Sequence, residues 1–125
     1  MKTRILLIED NEQNIYMMTY LLEHAGFEVL QARDGKTGIE LATTNGTPDI
    51  ILLDIQLPEM DGYAVARELR AIKEFAEVPI VAVTSYAMVG DRERILAAGC
   101  TDYLEKPIDP DAFVGQVERH LPQGR

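Results

Sequence analysis

Ile50-Ile51-Leu52-Leu53-Asp54 decides how this chain is read: four apolar residues run without a break into one carboxylate. A strand with one wet face alternates apolar and polar residues, whereas a short unbroken apolar run fits a strand covered on both faces. The same form recurs. Ile5-Leu6-Leu7-Ile8 runs into Glu9-Asp10, Ile80-Val81-Ala82-Val83 runs into Thr84, and Tyr103-Leu104 is followed, one residue on, by Lys106. Helical patterns separate these runs, so the strands are parallel and finish at one edge of a sheet. Open α/β sheets bind ligands at that edge. Three acids, a hydroxyl and an amine are therefore expected to meet in one cleft.

The stretches between the runs predict the helices. Asn11 can cap a helix whose buried stripe is Ile15, Met18, Leu22 and Ala25, closed by Gly26. Phe27 to Ala32 reads as a second strand. Asp34 can cap a short helix through Ile39 and Ala42, ended by Asn45-Gly46. Pro58, Asp61 and Gly62 mark a loop, after which Val65, Leu69 and Ile72 line a helix face. A fourth helix runs past Ile95, Leu96 and Ala98 to Gly99, and the fifth strand is short, Asp102 to Glu105. Asp109 caps the last helix, Pro110 starts it, and Ile108 can staple onto Phe113. Five strand–helix repeats with right-handed crossovers give an α/β fold, a doubly wound three-layer sandwich around a parallel sheet.

The 125 residues fit one domain, 1–125, with ordinary apolar (46%) and charged (26%) content. No apolar stretch reaches the roughly 20 residues that span a bilayer, and the first residues show no signal-peptide pattern. Cys100 is the only cysteine. These features point to the cytoplasm. The net charge of -9 opposes binding to nucleic acid or anionic membranes, but not to a cation.

Glu9, Asp10 and Asp54 in one pocket need such a cation. Two carboxylates about 4 Å apart repel by roughly 4 kcal/mol at an effective dielectric near 20. With oxygen ligands only, Mg²⁺ is the natural choice. Three acids and the Lys106 ammonium leave the pocket at minus two, which one Mg²⁺ neutralises. A phosphoryl group on Asp54 would add negative charge and call for donors, and Thr84 and Lys106 supply them. Asp54 is thus a candidate phosphate acceptor.

At this point the residues match a family. Glu9-Asp10, Asp54 with Pro58 and Asp61-Gly62 after it, Thr84, and Tyr103-x-x-Lys106-Pro107 resemble response-regulator receiver domains, the CheY-like partners of histidine kinases. The resemblance covers essentially the whole chain, and five short pieces in this order are highly specific. It implies a flavodoxin-like sheet of five strands in the order 2-1-3-4-5. It implies that Asp54 takes phosphate from a histidine kinase or phosphotransfer protein. Mg²⁺ would be held by Asp10, Asp54 and the backbone carbonyl of Gln56, with Glu9 acting through water. Lys106 would pair with the acceptor and then with the phosphoryl group, and Thr84 and Tyr103 would form the conformational switch. The Lys106-Pro107 peptide would be cis, and Gln56 and Tyr86 would tune hydrolysis. Leu57 stands where Met is often found, and Tyr86 is large for its place. The Glu-Asp-Asn opening and Ala87-Met88-Val89-Gly90-Asp91 look like DivK-type single-domain regulators and hybrid-kinase receivers. The signal would leave through an unidentified downstream protein, bound near Arg92, Glu93 and Tyr103.

Other classes fit less well. An aspartyl-phosphate phosphohydrolase normally carries a second acid two residues past the nucleophile, where this chain has Gln56. A flavin-binding flavodoxin relative needs hydroxyls and glycines in its first loop, whereas Glu9-Asp10-Asn11-Glu12 repels phosphate. A phosphorylation-independent adaptor would have no use for the acceptor set. Gly35-Lys36-Thr37 lacks the earlier glycine of a phosphate loop. His24 and His120 sit in helices without zinc-type spacing.

Overall fold

The computed structural model describes residues 2–85 and 89–121. Strand β1 (Arg4–Ile8) is followed by α1 (Glu12–His24), β2 (Glu28–Ala32), α2 (Gly35–Thr44), β3 (Ile50–Asp54) and α3 (Gly62–Arg70). A 3₁₀ turn at Lys73–Phe75 leads to β4 (Ile80–Thr84), α4 (Val89–Ala97), β5 (Asp102–Glu105) and α5 (Pro110–Glu118). The strands form one parallel sheet in the order β2-β1-β3-β4-β5.

Side chains alternate across a strand, and that alternation sorts the core into two layers. Ile5, Leu7, Ile50, Leu52, Val81 and Val83 pack with Ile15, Met18 and Leu22 of α1 and Phe113 and Val117 of α5. Their neighbours Leu6, Ile8, Ile51, Leu53, Ile80 and Ala82 pack with Val65, Ala66 and Leu69 of α3 and Ile95 of α4. Both faces of β1, β3 and β4 are covered, which is why those strands read as unbroken apolar runs.

Local chemistry sets the helix starts. Asn11, Asp34 and Asp61 each accept a hydrogen bond from the backbone N–H three residues on, at 2.9, 2.7 and 3.0 Å. Asp109 caps α5 through the N–H of Asp111, and Ile108 and Phe113 share one core cluster as the staple requires. Four expectations change. His120 lies in the turn after α5 rather than in a helix. Ala25 is exposed as the cap of α1 rather than buried in its stripe. Ile72 lies beyond the end of α3, in the turn before the 3₁₀ segment. Leu96 faces solvent at 47% exposure.

Candidate functional site

Strand register builds the site. Ile8 pairs with Leu53, so the next residues, Glu9 and Asp54, stand level at the carboxyl edge of β1 and β3. By alternation both share the side of Leu7 and Leu52, facing α1 and α5, and Lys106 shares the side of Leu104. The backbone N–H of Lys106 donates to the carbonyl of Thr84 at 2.8 Å, which carries the β4–β5 ladder one residue past the strand end and sets Lys106 at the carboxyl edge. The Lys106–Pro107 peptide is cis. The ammonium then lies 3.0 Å from Glu9 Oε1 and 3.4 Å from Asp54 Oδ2.

Backbone donors complete the carboxylates. The N–H of Asn11 donates to Glu9 Oε2 at 3.0 Å, and that of Gln56 to Asp54 Oδ1 at 3.0 Å. Glu9 and Asp54 are 0% and 2% exposed, while Asp10 is open to solvent at the rim. Burial first, then the charge of Asp54, pushes the Glu9 carboxyl up to about 7, against the lowering by the Asn11 N–H and Lys106. Glu9 Oε1 accepts no aligned hydrogen bond, and Lys106 meets it as an off-axis ion pair. One oxygen each from Glu9, Asp10 and Asp54 lies within 4.8 Å of the others. A buried carboxylate oxygen lacking an aligned donor, inside an all-oxygen trio, suits a hard divalent cation.

Behind Asp54 stands Gly62. A Cβ there would sit 2.5 Å from the Asp54 carbonyl oxygen and 2.6 Å from Ile55 Cα. The Asp61-Gly62 pair, read from sequence as a loop marker, is thus the cap of α3 followed by its close approach to the end of β3.

Thr84 and Tyr103 lie on the opposite side of the sheet. Thr84 is buried at the end of β4, and Tyr103 pairs in register with Ala82, so both face the α3–α4 layer. The Tyr103 phenol oxygen accepts from Arg92 Nε at 3.3 Å and Nη2 at 3.0 Å. That interaction had no local sequence signal, because Arg92 and Tyr103 lie on different elements. The acids do not line the open groove of about 670 Å³ beside Arg92, Leu96, Tyr103, Glu105 and Gln116. Tyr86, with Ala87 and Met88, lies outside the described residues.

A profile of the response regulator receiver domain matches residues 5–118. The chain belongs to that family. As a receiver domain it is 39% identical over 121 residues to the polar-differentiation response regulator DivK of Brucella ovis, covering 97% of this chain and 98% of the relative. The receiver domain of the Pseudomonas aeruginosa sensor histidine kinase PA1611, solved with magnesium coordinated in its active-site cleft, is 38% identical. It superposes with a TM-score of 0.87, over 96% of this chain and 98% of that one. The Vibrio cholerae chemotaxis regulator CheY4 superposes with a TM-score of 0.92 at 26% identity, over 97% and 100% of the two chains. Receiver domains signal in phosphorelays with histidine kinases, and the fold and strand order of this chain are theirs. Among the described residues no helix is long and apolar enough to cross a membrane.

Proposed function

We propose that this receiver domain accepts a phosphoryl group on Asp54 from a histidine kinase or a histidine phosphotransfer protein, and signals by binding a downstream protein. The observation that carries this is Asp54 itself. It closes the central strand, lies almost wholly buried, and has the Lys106 ammonium 3.4 Å from one carboxylate oxygen. In the transfer an Asp54 oxygen forms a bond to phosphorus while the phosphorus–nitrogen bond of a phosphohistidine breaks. The imidazole leaves with that electron pair and takes a proton from solvent. Lys106 holds the new phosphoryl oxygens, and the Gln56 N–H fixes the carboxylate rotamer.

Asp10 and Asp54, with the Gln56 carbonyl, are the residues we assign to Mg²⁺, and Glu9 would act on it through water. When bound, the cation neutralises the acids and screens the incoming phosphate. Thr84 and Tyr103 are assigned the switch, and Gln56 and Tyr86 the tuning of hydrolysis. Gln56 is no general acid, which favours a switch over a phosphomonoester hydrolase. We take residues 1–125 as one receiver unit in the cytoplasm, a compartment that suits the buried, unpaired thiol of Cys100. The downstream protein is assigned to the face formed by α4, β5 and α5.

Intact-mass measurement after incubation with acetyl phosphate and Mg²⁺ tests the assignment. The protein gains one phosphoryl group and Asp54→Asn gains none. A gain that survives Asp54→Asn refutes it.

A further inference from the structure

Among the described residues, the phenol oxygen of the assigned switch residue Tyr103 is held by one long cationic side chain, Arg92. Its ring packs partly against the core layer under α3 and α4, and its phenol oxygen sits in the fork of the Arg92 guanidinium. Nε and Nη2 both donate to that one oxygen. The guanidinium carbon also lies 5.6 Å from the ring centroid, near the outer limit of a useful cation–π contact, so the hydrogen bonds carry the pairing. Arg92 is exposed in the first half of α4, and Tyr103 lies on β5. The pair is therefore a tie between the helix and the strand that flank the groove proposed for partner binding.

We propose that Arg92 is a latch on Tyr103, holding the ring toward α4 in the unphosphorylated protein and thereby setting how readily the switch is thrown. The proposal rests on the assignment of Asp54 and Tyr103 above. Rotation of the ring toward Thr84 carries the phenol oxygen away from α4, and both donors lose their acceptor together. Of the acids that line the same groove, Asp102 attracts Arg92 through space, and Glu105 and Asp109 complete the set. Asp102 accepts from the Tyr103 backbone N–H and pairs with His120, and Asp109 caps α5. Arg92 returns to water when released, which keeps the bias modest. Charge-assisted hydrogen bonds at such a site correspond to about a 3- to 10-fold shift in a two-state population. Arg92 acts through Tyr103 and is a positioning residue.

The experiment is fluorine NMR of the full chain labelled with 3-fluorotyrosine, with the Tyr103 resonance assigned by its loss in Tyr103→Phe. Beryllofluoride with Mg²⁺ is titrated into the unsubstituted protein, Arg92→Gln and Arg92→Lys. In Arg92→Gln the resting Tyr103 resonance moves part-way to its beryllofluoride-bound position, and half-saturation falls about 3- to 10-fold. Arg92→Lys, with a point charge in place of the fork, lies between. In the Tyr103→Phe background Arg92→Gln leaves half-saturation unchanged, as a double-mutant cycle requires. A resting resonance and a half-saturation both unaltered by Arg92→Gln overturn the latch. If beryllofluoride does not bind even the unsubstituted protein, the Asp54 assignment fails. The resting resonance of Arg92→Gln then still decides whether Arg92 positions the ring.

Discussion

Glu9 and Asp54 share the Lys106 ammonium, and Gly62 closes against the backbone of Asp54. A Cβ on Gly62 would meet two backbone atoms at the end of β3 more closely than the Ile55 side chain, and backbone atoms cannot rotate away from it. Gly62→Ala therefore shifts Asp54 itself. It is expected to cost about 1–3 kcal/mol in chemical denaturation and to slow labelling of Asp54 by acetyl phosphate. An Ala at Gly90, where a Cβ meets nothing within 4 Å, is the control that leaves both unchanged. Residue identity alone marked Asp54, Glu9, Asp10 and Lys106, since each follows a strand-like run. It did not mark the depth at which Glu9 is buried, because burial at a strand end depends on what distant residues bring over it, here the Lys106 side chain from beyond β5 as well as the Asn11 N–H.

At the scale of elements, the edge of the sheet opposite the acids is fastened by Arg70. From the end of α3 its Nε donates to the Gly99 carbonyl at 2.7 Å, and Nη1 donates to the carbonyls of Phe75 and Val78, both at 2.6 Å. Nη2 reaches the Thr101 hydroxyl at 3.2 Å, and that hydroxyl accepts from the Ile80 N–H. One guanidinium thus joins α3, the 3₁₀ turn, β4 and the turn into β5. Arg70→Met keeps the stem against Gly99 and leaves the carbonyls without donors. It is expected to lower stability by about 2–4 kcal/mol, read from urea unfolding, with little dependence on salt. The sequence placed all five strands, even the four-residue β5, because apolar periodicity and cap residues are local signals. Arg70 carried no such signal. Three of its four acceptors are backbone carbonyls, up to 29 positions away, and backbone atoms have no residue code. The 3₁₀ turn and the exposure of Leu96 were hidden for a related reason, since each depends on what the neighbouring element leaves uncovered.

For the whole molecule, the acid pocket makes stability depend on pH in an unusual direction. Glu9 titrates near 7 in the fold against an ordinary value of 4.5. Between those values the fold binds more protons than the unfolded chain, so the metal-free protein loses stability as pH rises through that window. The loss is of order 3 kcal/mol, complete above about pH 7. Saturating Mg²⁺, which favours the ionised acids, should remove that decline. The thermal midpoint gained from Mg²⁺ is therefore expected to grow from about pH 5 to about pH 8, as scanning calorimetry will show. A midpoint gain that is flat across that range would contradict the assignment of Glu9 to the pocket's charge balance.

With the Glu9 carboxyl pushed up to about 7, filling the cleft with a divalent ion near neutrality is expected to release part of a hydrogen ion. Loading is then an exchange. In lightly buffered solution magnesium acidifies the medium, and its heat of uptake differs between buffers of unlike ionisation enthalpy. Cation occupancy of such a cleft is thereby tied to pH with no phosphoryl donor present.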